Sequence, residues 1–341
     1  MKKMVVPIIA SVFLSVAIGV AAKESKNETD IARILEAKGV RLEKKIILSK
    51  EERSSREKGL KGKPTGSVGQ GKKAPAPGAT GVLGQPLPLG AQKYAVVIGL
   101  SNYIGTVNDL CTNKTADTYP TNLCEDGDAK SMESALISEF GYDPANISRF
   151  SDADAKISDI KLAVDDIIAR ANPGDEVVFF FSGHSATSSG NIDDDKESID
   201  EGAVLYDGTV IWDGNLRSWF SGLRTSRAVF IFDTCKAGGM NDLQMEGRVL
   251  ALSSAENQYS YTYYLGGEDG QVGEGMFTHY FVNGGMREGL ADGYNALGLK
   301  DYAVAVEEAL VYSKNFVSQM TNGNQVPALN DKFTNDLLLG N

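Results

Sequence analysis

Four short stretches break the polar background of this chain: "KYAVVIGL" from Lys93, "EVVFFFSG" (176–183), "RAVFIFD" (227–233) and "RVLALSSA" (248–255). Each is apolar at successive rather than alternate positions and rich in β-branched or aromatic residues, the pattern of a strand buried on both faces. Between them the spacing changes to a helical period. Ala129, Met132, Leu136 and Phe140 share one face, closed by Gly141, and Ile157, Ile160, Val164, Ile167 and Ile168 share another. Buried strands alternating with amphipathic helices predict an α/β fold, a mostly parallel central sheet flanked by helices on both faces. In such sheets chemistry collects at the carboxyl ends of the strands.

The ends of the chain read differently. Residues 1–22, "MKKMVVPIIASVFLSVAIGVAA", carry a Lys-Lys start, an apolar stretch and a small-residue finish, and are expected to be a secretory signal peptide cut near Ala21 or Ala22. The protein is therefore expected to be secreted or periplasmic. No second run of about 20 apolar residues follows, so no stable membrane span is expected after signal removal. Residues 23–90 are charged and then Gly/Pro/Lys-rich, too poor in apolar surface to fold by themselves, and read as a pro-segment or linker. Within them "DIARILEAKGVRLEKKIILS" predicts a short helical element, and the basic residues are either a solvated face or processing sites. Residues 91–341 are the single folded domain.

Charge and cysteines narrow the chemistry. A formal net charge of -11 argues against nucleic acid as the main partner and permits a cationic substrate or a bound cation. In an oxidising compartment Cys111 and Cys124 are candidates to pair, which leaves Cys235 as the odd thiol; three reduced cysteines are the alternative. One apolar run exits into "FSGHSA" and another into "FDTCKAGG", so His184 and Cys235 both stand just past predicted strand ends. A thiol and an imidazole are the minimum set for covalent acyl transfer: the imidazole takes the thiol proton and later protonates the leaving amine. The other histidine, His279 in "FTHYF", falls in a helical pattern and is read as structural.

Together, "KYAVVIGLSNY", "DAKSM", "FFFSGHSA", "VFIFDTCKAGG", "GMFTHYF" and "NQVPALND" make Lys93 to about Asp331 resemble the caspase-fold peptidases, most closely the metacaspase type that includes bacterial orthocaspases. The resemblance implies a caspase-like sandwich and a catalytic dyad of His184 and Cys235. It implies an oxyanion site made by the backbone N–H groups of Ser185 and Cys235. It also implies a primary pocket of Asp128, Asp233 and Ser182 that takes Arg or Lys. Asp128 admits a simpler reading as a helix N-cap. Two departures from the family stand out: Ser185 occupies a position usually held by glycine, and Asp233-Thr234-Cys235-Lys236 replaces the usual flank of the nucleophile. Lys236 favours a thiolate only if its side chain turns inward. By position the resemblance also implies calcium ligands at Asp200, Asp213 and Asp242, with Gly214 where a fourth ligand belongs; the thiol–imidazole chemistry itself requires no cofactor. The expected function is a secreted cysteine endopeptidase acting on peptides or proteins after Arg or Lys. The alternatives are a catalytically silent binding or signalling module and a structural envelope protein held through residues 23–90.

Overall fold

The computed structural model describes residues 30–61, 78–105, 109–110, 125–190, 192, 198–267 and 270–341. The segment expected to be a signal peptide, Cys111, Cys124 and most of the acidic stretch before Asp200 lie outside the described residues. The N-terminal part contributes helix α1 (Ile31–Glu36), strands β1 (Arg41–Glu43) and β2 (Ile46–Leu48), and helix α2 (Lys50–Lys58). Then come β3 (Lys93–Gly99), β4 (Glu125–Asp126), α3 (Asp128–Ser138), β5 (Ile147–Ser151), α4 (Ile157–Arg170), β6 (Glu176–Ser182) and β7 (Ser185–Ser188). The second half holds β8 (Asp200–Val204), β9 (Val210–Trp212), α5 (Asp213–Trp219), β10 (Ala228–Asp233) and β11 (Arg248–Leu252). The chain continues through β12 (Tyr261–Gly267), β13 (Gly270–Gly275), α6 (Met276–Thr278) running into a π-helix (His279–Arg287), α7 (Val306–Met320) and β14 (Ala328–Asp331).

The central sheet runs β14-β11-β10-β6-β3-β5. Every pair in it is parallel except β11 with β14. Because side chains alternate across a strand, each apolar run supplies both faces. Ala95, Val97, Val178, Phe180, Val229 and Ile231 pack on one side with residues of α3, the π-helix and α7. Tyr94, Val96, Ile98, Phe179, Phe181, Phe230 and Phe232 pack on the other with residues of α4 and α5. This is the α/β architecture that the sequence predicts. Its register sets Gly99, Ser182 and Asp233 side by side at the ends of β3, β6 and β10.

Two small sheets stand beyond those ends, and the N-terminal segment edges both. One is antiparallel throughout, in the order β1-β7-β8-β9. The other runs β2-β12-β13-β4, with β2 parallel to β12. The helix predicted within residues 30–49 is thus only α1, started by Asp30, whose carboxylate accepts the Ala32 N–H at 2.7 Å. Gly39, at φ +72°, lies just past its end, and the aliphatic stretches that follow pair as strands. Residues 23–90 are too polar to form a core of their own, yet Ile31, Leu35, Val40 and Leu48 are buried against the domain. Among the described residues, no helix is long and apolar enough to cross a membrane.

Candidate active site

After β6 the chain turns at Gly183, where an added Cβ would sit 2.7 Å from the Tyr103 hydroxyl. That hydroxyl accepts the backbone N–H of His184 at 2.7 Å, and the phenol ring stacks on the imidazole with centroids 4.8 Å apart. Burial holds the Tyr103 hydroxyl well above its ordinary pKa, so it stays neutral. The loop that carries Tyr103 is fixed by Asp152, whose carboxylate accepts the N–H groups of Ser101 (2.8 Å) and Asn102 (2.9 Å). His184 itself is buried, and its Nδ1 accepts the backbone N–H of Lys45 at 3.1 Å.

After β10 the chain turns at Thr234, whose N–H donates to Ser253 Oγ at 3.0 Å. Cys235 Sγ accepts the Ser260 N–H at 3.3 Å and faces the Ser260 carbonyl at 4.0 Å. Burial is the main cause that pushes the Cys235 thiol up to about 12. Ser185, at the start of β7, donates its hydroxyl to the Cys235 carbonyl at 2.7 Å. The serine that replaces a glycine therefore ties the histidine turn to the cysteine turn. Lys236 is left-handed at φ +53°, and its ammonium lies 3.1 Å from Glu43 on β1.

Asp128, Ser182 and Asp233, from three separate segments, converge on one point. They surround the ammonium of Lys45, whose Nζ lies 2.8 Å from Asp233 Oδ1, 2.9 Å from Ser182 Oγ and 4.0 Å from Asp128 Oδ2. The Lys45 side chain has no exposed surface. Ser182 Oγ donates to Asp128 Oδ2 at 2.5 Å, and the Gly275 N–H donates to the same carboxylate at 2.8 and 3.0 Å. Asp233 Oδ2 accepts the Thr278 N–H at 2.9 Å and its hydroxyl at 2.8 Å. Burial drives the Asp128 carboxyl well above its usual range, with Lys45 opposing the shift. The helix-start role considered for Asp128 falls instead to Asp126, which accepts the N–H groups of Asp128 and Ala129, each at 3.2 Å.

A thiol and an imidazole at adjoining strand ends, beside an acidic cavity holding a lysine, are now in view, and the caspase domain family matches residues 92–338. The chain belongs to that family. Among curated relatives, metacaspase-4 of Arabidopsis thaliana is 29% identical over 159 residues, 44% of this chain and 34% of that one. Metacaspase-6 of the same plant is 27% identical over 159 residues, 44% of this chain and 39% of that one. Metacaspase-1 of Scheffersomyces stipitis is 29% identical over 123 residues, 34% of this chain and 26% of that one. The match thus spans between about a quarter and two fifths of the length of these relatives. A solved structure of a Geobacter sulfurreducens protein, 16% identical, aligns with a TM-score of 0.45 over 72% of this chain and 95% of that one.

The remaining sequence candidates belong to other elements of this caspase domain. Asp200 begins β8, Asp213 begins α5, and Asp242 pairs with Arg217 at 2.6 Å. Among the described residues, no group of three or more His, Cys, Asp or Glu side chains is placed to hold a metal ion. The Arg217 guanidinium supplies positive charge beside Asp242. His279 lies in the π-helix with Nδ1 3.0 Å from Glu274. Sequence reasoning missed Lys45, Tyr103, Ser260, Gly275 and Thr278. "GLSNY" and "GMFTHYF" carried three of them inside motifs noticed for other reasons, whereas Lys45 had no local signal beyond one lysine among many.

Proposed function

We propose that this protein is an exported cysteine endopeptidase that cleaves after Lys or Arg, with Cys235 as nucleophile and His184 as general base and acid. The observation that carries this reading is the Lys45 ammonium seated between Asp233, Ser182 and Asp128, which supports a pocket suited to a basic side chain. A carboxylate as deeply buried as Asp233 is costly without a cationic or hydrogen-bonding partner, and a substrate Lys or Arg supplies the charge.

In this mechanism the imidazole takes the proton of Cys235, and the sulfur attacks the carbonyl carbon of the residue in the pocket. The carbonyl π electrons move onto oxygen, which is held by the backbone N–H groups of Cys235 and Ser185. As the tetrahedral adduct collapses, the C–N bond breaks and the imidazolium gives its proton to the leaving amine. A water deprotonated by His184 then attacks the thioester carbonyl, the C–S bond breaks, and the imidazolium returns its proton to the Cys235 sulfur as the carboxylate product departs. The hydroxyl bond from Ser185 to the Cys235 carbonyl keeps the two turns in register through these steps.

Because the chain's own Lys45 occupies the pocket, the test uses the full chain carrying Lys45→Met, alone and combined with Cys235→Ala or His184→Ala, against fluorogenic peptides ending in Arg, Lys or Asp. Release after Arg and Lys alone is expected, with both combined variants lower by about a thousandfold or more, the usual scale for losing a nucleophile or its base. Release after Asp, or turnover that survives in Cys235→Ala, would contradict the proposal. A folded protein silent toward all three, with an unreactive thiol, supports the binding-module reading instead.

A further inference from the structure

The lysine in the pocket belongs to the chain's own N-terminal segment, and its direction through the site is informative. Glu43 pairs with Ser185 on β7, just past the imidazole, while Ile46 to Leu48 lie beside Tyr261 to Tyr263 on β12. Residues 41–48 therefore cross the site as a strap between two sheets, with the Lys45 side chain filling the acidic pocket at the crossing. A second anchor holds the strap on the other flank. Buried Glu43 accepts the Thr187 hydroxyl at 2.9 Å and lies 3.1 Å from Lys236, the neighbour of the thiol.

The peptide nitrogens reveal the polarity. For cleavage after Lys45 the leaving nitrogen is that of Ile46, and the imidazole must reach it. The Ile46 N–H instead donates to the Ser260 carbonyl at 2.8 Å. The nitrogen that faces His184 is that of Lys45 itself, at 3.1 Å, which belongs to the preceding bond. No cleavage follows from that arrangement, since the residue before the bond next to the imidazole is Lys44 and the residue in the pocket is Lys45.

We infer that residues 41–48 are an intramolecular inhibitor that fills the basic-residue pocket with Lys45 while holding the leaving nitrogen of the Lys45–Ile46 bond on the Ser260 carbonyl rather than on His184. The protein is then latent until the strap is displaced. This rests on the peptidase reading of the same site. The strap also accounts for the inaccessibility of the thiol, because its backbone lies between His184 and Ser260, and Ser260 is the residue that contacts Cys235.

The experiment compares the full-length wild type with Lys45→Met, which keeps the aliphatic stem and removes the charge, and with Glu43→Gln, which weakens the second anchor and leaves the pocket whole. Two rates are read: alkylation of Cys235 by iodoacetamide at pH 7.5, followed by mass spectrometry, and hydrolysis of a fluorogenic Lys peptide. Near-ultraviolet circular dichroism checks folding. Alkylation is expected to rise at least tenfold in either folded variant, with hydrolysis rising in parallel. A synthetic peptide of residues 40–49 is expected to slow both rates again in Lys45→Met and to be recovered uncut. Equal alkylation rates in wild type and both variants would overturn the inference and leave the peptidase reading intact. Cutting of the chain or of the peptide between Lys45 and Ile46 would also overturn it, since the strap would then be a substrate. Faster alkylation without hydrolysis would support the strap and count against the peptidase.

Discussion

Gly275 shows how little room the pocket leaves. A Cβ there would lie 2.0 Å from Asp233 Oδ2, closer than real Cβ atoms approach, and 3.0 Å from Asp128 Oδ2, tighter than most such contacts. Gly275→Ala is expected to push the two carboxylates apart and lower kcat/KM for Lys and Arg peptides by about 100-fold, on the order of 2.7 kcal/mol. The change should enter mainly through KM, because the thiol and imidazole are untouched; steady-state kinetics on a strap-weakened background would measure it, and a fall confined to kcat would argue against this pocket. At this scale the sequence was informative where chemistry sits at the end of an apolar run: His184 and Cys235 could be named from such ends, and Ser182 and Asp233 from the family resemblance. Lys45 and Tyr103 could not. Their places depend on contacts across 139 and 81 residues of chain, which no local pattern encodes.

Helix α3 begins beside the pocket, and its first turn gives an element-level prediction. Asp126 accepts two of the N–H groups that a helix start leaves without partners, and it is buried as it does so. Burial, with the nearby charge of Asp152, raises its carboxyl from 3.8 to about 7. A carboxyl raised on folding holds its proton more tightly in the native state. Its stabilising contribution is full below about pH 4 and is lost as pH climbs through about 7. Asp152 is also raised, by burial, and adds a contribution of the same sign. Urea unfolding should therefore show stability declining from pH 5 to pH 8. Asp126→Asn, which keeps one acceptor, should flatten that decline by on the order of 1–3 kcal/mol. An unchanged slope would contradict the assignment. The helical period that predicted α3 and α4 was clear because each buries a single stripe. The stretch after α1 misled because short aliphatic runs suit a helix or an edge strand equally, and the choice lies with β7 and β12, far away in sequence.

At the scale of the whole molecule, one arginine joins parts of the chain that the sequence kept separate. Arg227 pairs with buried Glu176 at 2.7 Å, donates to the Gln85 carbonyl at 2.7 Å and to the Asn341 carbonyl at 3.1 Å, and also donates to the Leu338 carbonyl. Glu176 in turn accepts the Tyr142 hydroxyl at 2.7 Å and the Gly340 N–H at 2.8 Å. Arg227→Met leaves that carboxylate buried without its cation and is expected to cost about 3–5 kcal/mol in chemical denaturation. A loss under 1 kcal/mol would mean that the network relaxes around the gap. The parallel sheet was legible in outline because four buried runs require cover on both faces, but the role of residues 30–61 was not. Their composition says only that they cannot fold alone, and they become ordered by lending strands to the edges of two other sheets.

The central claim is that Cys235, with an acidic pocket, cuts polypeptides after Lys or Arg. The most direct test is to incubate folded Lys45→Met protein, with and without Cys235→Ala, with a denatured protein of known sequence and map the new termini by mass spectrometry. On the proposed function every new carboxyl terminus is Lys or Arg, and none appears in the double variant. Termini after acidic or apolar residues, or cuts that persist without the thiol, would contradict it.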